Sequence, residues 1–153
     1  MKKGKLNALN WFMYGTVLKK RNKQQKAKIV LIDALNKFPL LWGAWLELNL
    51  ILKKEDQDLI KNNLNDHWVK NFYLSSYYIQ IQQESDSITV NGALQKYFPD
   101  SLYVLNQIGH ACYLNQSFNT ALDIFKKLIA LDPYRYESMD LYSNILYIQE
   151  NYG

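Results

Sequence analysis

The sequence has little cysteine, glycine or proline. Its single cysteine, Cys112, excludes an intramolecular disulfide and any zinc site that needs two thiolates, and it favours a reducing compartment. Only 6 Gly and 3 Pro in 153 residues argue against a turn-rich all-β sandwich. Hydrophobic residues make up 48% of the chain, which is enough to bury a core in one domain of this length. The composition therefore predicts a folded protein.

The chain also lacks the motifs of common catalytic sites. It contains no GxSxG elbow, no glycine-rich phosphate loop and no HExxH, and His67 and His110 have no obvious carboxylate partners. The most apolar run, 38–52, contains a proline and a glutamate and is shorter than the roughly 20 residues that span a membrane. No secretory signal is visible. We therefore predict no enzyme activity, no cofactor, no metal, no small-molecule substrate and no membrane partner.

Positive charge is concentrated at the beginning of the chain. The first 32 residues contain nine Lys or Arg and no acid, whereas the remainder contains nine Lys or Arg and 14 Asp or Glu. Such a separation favours acidic partners near the N-terminal end, although a solvated helix surface and lysines at the chain end are the simpler explanation. Nucleic acid is not predicted, because the lysines accompany no RNA-binding aromatic motif and no zinc-finger spacing.

Small residues and prolines recur with a fixed period. Pro99 and Pro133 are 34 residues apart, and Ser75, Gly109 and Ser143 repeat the same spacing. A period of 34 is typical of the tetratricopeptide (TPR) repeat, in which a helix, a tight turn and a second helix form one unit. The sequence therefore predicts an all-α fold, an α-solenoid of TPR helix-turn-helix repeats in a right-handed superhelix.

The period divides a single TPR array over 1–153 into five parts. These are a TPR unit at 8–41, a shortened irregular helix pair at 42–67, TPR units at 68–101 and 102–135, and the first helix of a truncated unit at 136–153. The irregular pair is expected to have a short second helix near 56–64, with the acids around Asp56 facing its macrodipole. The last helix is expected to leave Leu141, Ile145 or Leu146 partly exposed, because no second helix follows it.

Small residues lie where two helices of a unit must approach closely. Gly15 and Gly109 are each expected to face the second helix of their unit, and Leu31 is expected to fill the space opposite Gly15. Cys112 then faces the packing between helices, so it is predicted to be a buried structural thiol.

Two further expectations concern helix surfaces and ends. Trp11, Tyr14 and Leu18 recur at helical spacing and predict one packed stripe. The second helix of the 68–101 unit is expected to begin near Ser85–Ser87, a natural N-cap cluster.

The first helices of a TPR array line a concave surface, whose mixed aromatic and polar character suits peptide or helix recognition. Some of these side chains are equally expected to pack under neighbouring turns. The predicted protein-binding groove comprises Phe12, Thr16, Lys19, Phe72, Ser76, Ile79, Tyr103, Asn106, His110, Tyr113, Asp140, Asn144 and Tyr147.

Three stretches contain residues that the general TPR pattern does not require: YGTVLKK at 14–20, WGAWLEL at 42–48 and DPYRYESMDLYSNILY at 132–147. Together they resemble the subunit 8 family of the anaphase-promoting complex. The resemblance implies a non-catalytic TPR scaffold of a cell-cycle ubiquitin ligase, in the nucleus and cytoplasm. It implies sister subunits of the complex as partners and a homodimer in the full-length protein. In that family, a groove in later repeats helps to dock a coactivator, so no coactivator-binding residue is assigned here.

An alternative is a TPR adaptor that binds a peptide tail of a chaperone or another partner. A clamp for an acidic tail needs Lys, Arg and Asn at set groove positions in consecutive units. The residues at those positions in the three units do not form that clamp; they are Phe12 and Thr16, Phe72 and Ser76, and Asn106 and His110.

Overall fold

The computed structural model describes residues 7–152, with side chains described as far as residue 150, and within this range it contains helices and no strand. The all-α fold of paired helices is thus confirmed. None of the described helices combines the length and apolarity needed to cross a membrane. The helices are α1 (Ala8–Lys20), α2 (Gln24–Lys37), α3 (Trp42–Asn49), α4 (Gln57–Asn63), α5 (Trp68–Gln80), α6 (Glu84–Tyr97), α7 (Leu102–Leu114), α8 (Phe118–Leu131) and α9 (Met139–Tyr152), with a short 3₁₀ turn at Lys54–Asp56 before α4.

Three helix pairs are joined by the same tight turn. Asn22, Gln82 and Gln116 each adopt the left-handed conformation, with φ values of 61°, 59° and 56°. The next amide in each case donates back to a carbonyl in the last turn of the preceding helix, as from Lys23 to Leu18 at 3.0 Å. This is the bond pattern of a Schellman C-cap, so α1–α2, α5–α6 and α7–α8 share one hairpin geometry.

The described residues form two compact parts, 7–70 and 71–152. Each part buries its own apolar side chains, because the helices of each pair turn their apolar faces toward one another. The fully buried large side chains of the first part are Leu31, Leu35, Trp45, Leu48 and Ile60. Those of the second part are Tyr73, Tyr77, Val104, Leu105, Phe125, Leu128 and Ile145.

The close approaches at two glycines are confirmed. A Cβ atom at Gly15 would lie 2.8 Å from Cγ and Cδ2 of Leu31, and one at Gly109 would lie 2.9 Å from Cε1 of Phe125. Both distances are shorter than van der Waals contact, so only glycine fits while the partner side chains keep their positions. Cys112 is buried as predicted, and this burial raises the pKa of its thiol.

The α5–α6 pair uses hydrogen bonds where the other two pairs use a glycine. The Ser87 hydroxyl donates to the Ser75 carbonyl at 2.8 Å, and Asn91 Nδ2 donates to the Ser87 carbonyl at 2.8 Å. The expectation that Ser85–Ser87 cap this helix is wrong, because α6 begins at Glu84 and Ser87 lies inside it. The serine hydroxyl is buried against α5 and bonds across the pair instead of capping a helix.

The packed stripe predicted on α1 is only partly present. Leu18 is buried and Trp11 is half-buried, but Tyr14 is 49% exposed. Helix α1 contacts α2 through Gly15 and approaches Gly43 of α3 through Phe12, so Tyr14 lies outside both contact faces. The assignment of Tyr14 to the packed stripe is therefore wrong.

The irregular segment after α3 is attached to α2 by a buried ion pair. Lys28 is only 3% exposed, and its Nζ donates to both carboxylate oxygens of Asp56, at 2.9 and 2.7 Å. The same carboxylate accepts the Lys53 amide at 2.8 Å. Asp56 thus positions the 3₁₀ turn against α2, a role beyond the macrodipole interaction predicted for it.

Helix α9 packs on the α7–α8 pair with one face. Ile145 is fully buried, Leu141 is half-buried and Leu146 is 37% exposed. The prediction that Leu141, Ile145 or Leu146 is partly exposed is therefore confirmed by Leu141 and Leu146, while Ile145 is the buried one of the three. Ser143, which occupies the repeat position of Gly109, is exposed, because no described helix covers it.

Candidate protein-interaction groove

The predicted groove residues of the first compact part lie on one face of α1 and meet α3. The Phe12 ring lies 3.4 Å from the position of a Cβ atom at Gly43, and the Lys19 ammonium forms an ion pair with Glu47. The Thr16 hydroxyl donates to the Phe12 carbonyl at 3.0 Å. All three predicted residues are half-buried. This face is thus largely engaged within the chain itself.

Aromatic side chains connect α5 with α7 in the second compact part. The Phe72 ring centroid lies 5.9 Å from that of Tyr103 and 5.4 Å from that of Phe98. The Tyr103 hydroxyl donates to the Phe72 carbonyl at 3.0 Å. Ring contacts of this kind stabilise a protein by about 0.5–1.5 kcal/mol beyond the area that they bury. They therefore hold these two side chains in place along the predicted groove.

Three other predicted residues serve local contacts. The Ser76 hydroxyl donates to the Tyr73 carbonyl at 2.9 Å within α5, and Ile79 is half-buried on the same helix. The Tyr113 ring packs edge-on against Phe118 at 5.9 Å, next to the α7–α8 turn. Each side chain keeps some exposed surface, while the Ser76 hydroxyl and the Tyr113 ring make contacts within the chain.

The most polar stretch of the predicted groove lies between α7 and α9. Burial lowers the pKa of His110 below its usual value of 6.5, and the nearby Asp140 carboxylate opposes this shift. The imidazole is therefore neutral at pH 7 and presents one N–H donor and one nitrogen acceptor. Asn106 Oδ1 is buried and accepts no hydrogen bond from the described residues.

Helix α9 adds exposed side chains to this stretch. Asp140, Asn144 and Tyr147 recur at helical spacing, and all three are exposed. We call Asn106 and His110 of α7 together with these three residues the α7–α9 polar face. It combines one negative charge with amide, imidazole and phenol groups, which is suited to binding a polar polypeptide segment.

The described residues 7–152 contain no group of three or more His, Cys, Asp or Glu arranged to hold a metal ion. His110 has one carboxylate in its environment, and Cys112 is a buried thiol with a raised pKa. A thiol in such an environment is a poor nucleophile, since the thiolate is the reactive form.

Sequence reasoning missed the residues that pair with the lysines of the first compact part. Glu47 binds Lys19 and Asp56 binds Lys28, each across 28 positions of sequence. The stretch WGAWLEL gives a signal for Glu47, because Glu47 is four residues after Gly43 and so shares its helix face. No local pattern indicates the Asp56 pair.

Comparison with known proteins identifies relatives over most of the chain. A family model described as anaphase promoting complex subunit 8 / Cdc23 matches residues 1–109. The anaphase-promoting complex subunit 8 of Arabidopsis thaliana is 35% identical over 96% of this chain and 25% of that protein. The cell division cycle protein 23 homolog of Homo sapiens is 38% identical over 94% of this chain and 24% of that protein. The chain thus spans about a quarter of the length of the curated relatives it matches.

Proposed function

Because the chain belongs to the anaphase-promoting complex subunit 8 / Cdc23 family, we propose that it is a non-catalytic scaffold segment of that cell-cycle ubiquitin ligase. The resemblance noted in the sequence is confirmed by these relatives. The observation that carries the proposal is 38% identity, over nearly the whole chain, to a cell division cycle protein 23 homolog. The role follows from the architecture, since stacked helix pairs bury one face and offer another to partners.

The side-chain chemistry supports a scaffold over an enzyme. The polar groups at the centre of the second compact part, such as Ser75, Ser87 and Asn91, hydrogen-bond across or within the helices of one pair. The only cysteine is buried, and the pKa of His110 is shifted by burial toward the neutral form. These groups stabilise the fold, and none of them is arranged as a nucleophile with its base.

We propose that the α7–α9 polar face contacts a sister subunit of the complex. Its Asp140 and Asn144 are exposed, whereas the predicted groove residues of the first compact part are already paired or packed on α3. A homodimer of the full-length protein and action in the nucleus and cytoplasm complete the proposal. Both are drawn from the family resemblance.

The test is affinity purification of the tagged full-length protein, with mass spectrometry of the proteins that accompany it. The test variant is Asp140→Lys with Asn144→Lys, since both side chains are exposed. Circular dichroism of the variant checks that its helices are retained. The matched control is Asp123→Lys with Thr120→Lys on the exposed side of α8, which changes the net charge by the same amount.

We expect the wild type and the control to recover the other subunits, and the test variant to lose at least one of them. Recovery of every subunit by the test variant, or equal loss by the control, overturns the assignment of the α7–α9 polar face. A wild-type protein that recovers no subunit of the ligase overturns the scaffold role itself.

A further inference from the structure

The three equivalent hairpin turns differ sharply in charge. The turn between α1 and α2 is surrounded by Lys20, Arg21, Lys23 and Lys26, which we call the cationic turn. The matching turns around Gln82 and Gln116 have a left-handed residue at the same place and the same returning hydrogen bond, yet the equivalent segments 80–86 and 114–120 contain no Lys or Arg. The backbone geometry of the hairpin therefore does not require positive charge.

Two of the four cations lie at an electrostatically unfavourable end of a helix. Lys23 is the N-cap residue of α2 and Lys26 is in its first turn, where the helix dipole is positive and repels cations. Helix α2 has no acid in its first turn to offset them, whereas α6 has Glu84 and Asp86 at the same place. These lysines do not improve the stability of the hairpin.

The cationic turn is also exposed and unpaired. All four side chains are exposed, and none forms an ion pair with a carboxylate of the described residues 7–152. The neighbouring Lys19 and Lys28, by contrast, are bound to Glu47 and Asp56. The hairpin thus neutralises the cations that pack inside it and leaves four cations facing solvent within seven residues of sequence.

We propose that the cationic turn binds an acidic protein segment, one rich in Asp and Glu. Carboxylates opposite this turn would relieve the repulsion among its cations and satisfy the amino and guanidinium donors. The segment 19–26 contains no aromatic side chain on which a base could stack and no apolar side chain that could enter a membrane. A protein carboxylate cluster needs neither, so it is the occupant that fits this chemistry.

The test uses the full-length protein and a fluorescein-labelled peptide of alternating glutamate and glycine, with fluorescence anisotropy as the readout. An alternating glutamine–glycine peptide reports binding that does not depend on charge. The test variant combines Lys20→Gln, Arg21→Gln, Lys23→Gln and Lys26→Gln. The matched control combines Lys37→Gln, Lys61→Gln, Lys96→Gln and Lys126→Gln, four exposed cations elsewhere whose removal changes the net charge equally.

We expect the test variant to weaken binding of the glutamate peptide by about tenfold or more, and the matched control to weaken it by less than about threefold. Thermal melting of both variants checks their folding. The test variant is expected to melt close to the wild type, because Lys23 and Lys26 oppose the dipole of α2. Lys20, in the last turn of α1, complements the dipole of that helix and offsets their effect.

Three outcomes overturn the proposal. The first is equal weakening in both variants, which would show that only net charge matters. The second is wild-type binding no tighter than that of the glutamine peptide. The third is tighter binding of duplex DNA or of phosphatidylserine vesicles at the same ionic strength, lost in the test variant alone, which would assign the turn to nucleic acid or to a membrane.

Discussion

The α1–α2 and α7–α8 hairpins have the same architecture and different surfaces. Each places a glycine against a large side chain of its second helix, Leu31 in one and Phe125 in the other. In each, a left-handed residue lies in the turn two positions after the first helix ends. Only the first hairpin is cationic at its turn. Steric fit therefore constrains the residues between the helices, while the exposed turn is free to vary and to acquire a binding role.

The largest expected effect tests the shared glycine contact. Gly109→Leu is expected to lower the free energy of unfolding by about 3 kcal/mol, because the new side chain must displace the Phe125 ring. Gly15→Leu is expected to be similar, since Leu31 lies as close. Urea unfolding monitored by circular dichroism measures both. An unchanged midpoint in either variant would show that the two hairpins do not depend on the same contact.

The buried ion pair distinguishes the first hairpin from the second. Lys28→Ala is expected to cost about 2 kcal/mol, below the value for a fully buried pair because Asp56 keeps some solvent contact. Lys23→Ala, at an exposed position of the same hairpin, serves as the control and is expected to change stability by less than about 0.5 kcal/mol. Chemical denaturation measures both variants. Equal effects at the two lysines would contradict a structural role for the pair.

A third glycine, Gly92, is expected to respond to substitution in the opposite way, with a gain of stability. A Cβ atom at Gly92 of α6 would meet no atom within 4 Å, so this glycine is not required by packing. Gly92→Ala is expected to raise the melting temperature, with a gain of about 1 kcal/mol from the better helix propensity of alanine. Differential scanning calorimetry measures the change. A loss of stability in Gly92→Ala would contradict the conclusion that a side chain fits at Gly92 and does not fit at Gly15 or Gly109.

The smallest effect concerns pH in the second hairpin. Because the folded pKa of His110 is lowered by burial, the unfolded chain binds more protons as the pH falls below the usual 6.5. The contribution of His110 to stability is therefore present above that pH and is lost on acidification through the folded pKa. His110→Gln is expected to flatten this part of the pH dependence, and Asp140→Asn to steepen it. An unchanged profile in His110→Gln, measured by urea unfolding between pH 5 and 8, would contradict the assignment.

Several features could be predicted from the sequence alone. The period of 34 residues identifies paired helices, and the repeat spacing places Gly15, Gly109 and Cys112 between them. Their positions follow from helical periodicity, because residues three, four or seven positions apart in sequence lie on the same face of a helix. The stretches WGAWLEL and DPYRYESMDLYSNILY also carry the family resemblance.

The groove could be predicted only as a set of positions. The sequence pattern assigns Lys19 and Asp140 to it alike, but the structure pairs Lys19 with Glu47 and leaves Asp140 exposed beside His110. The difference depends on which helix lies opposite each side chain. Residue type and spacing carry no information about that neighbour.

Sequence by itself determined the helices, the hairpin turns and the residues small enough to lie between helices, because these depend on short-range pattern and side-chain size. Only the tertiary structure decided that Asp56 neutralises Lys28, that Ser87 bonds to Ser75 and that Tyr14 is exposed. Those outcomes depend on how helices far apart in sequence are brought face to face, where desolvation requires polar groups to find partners.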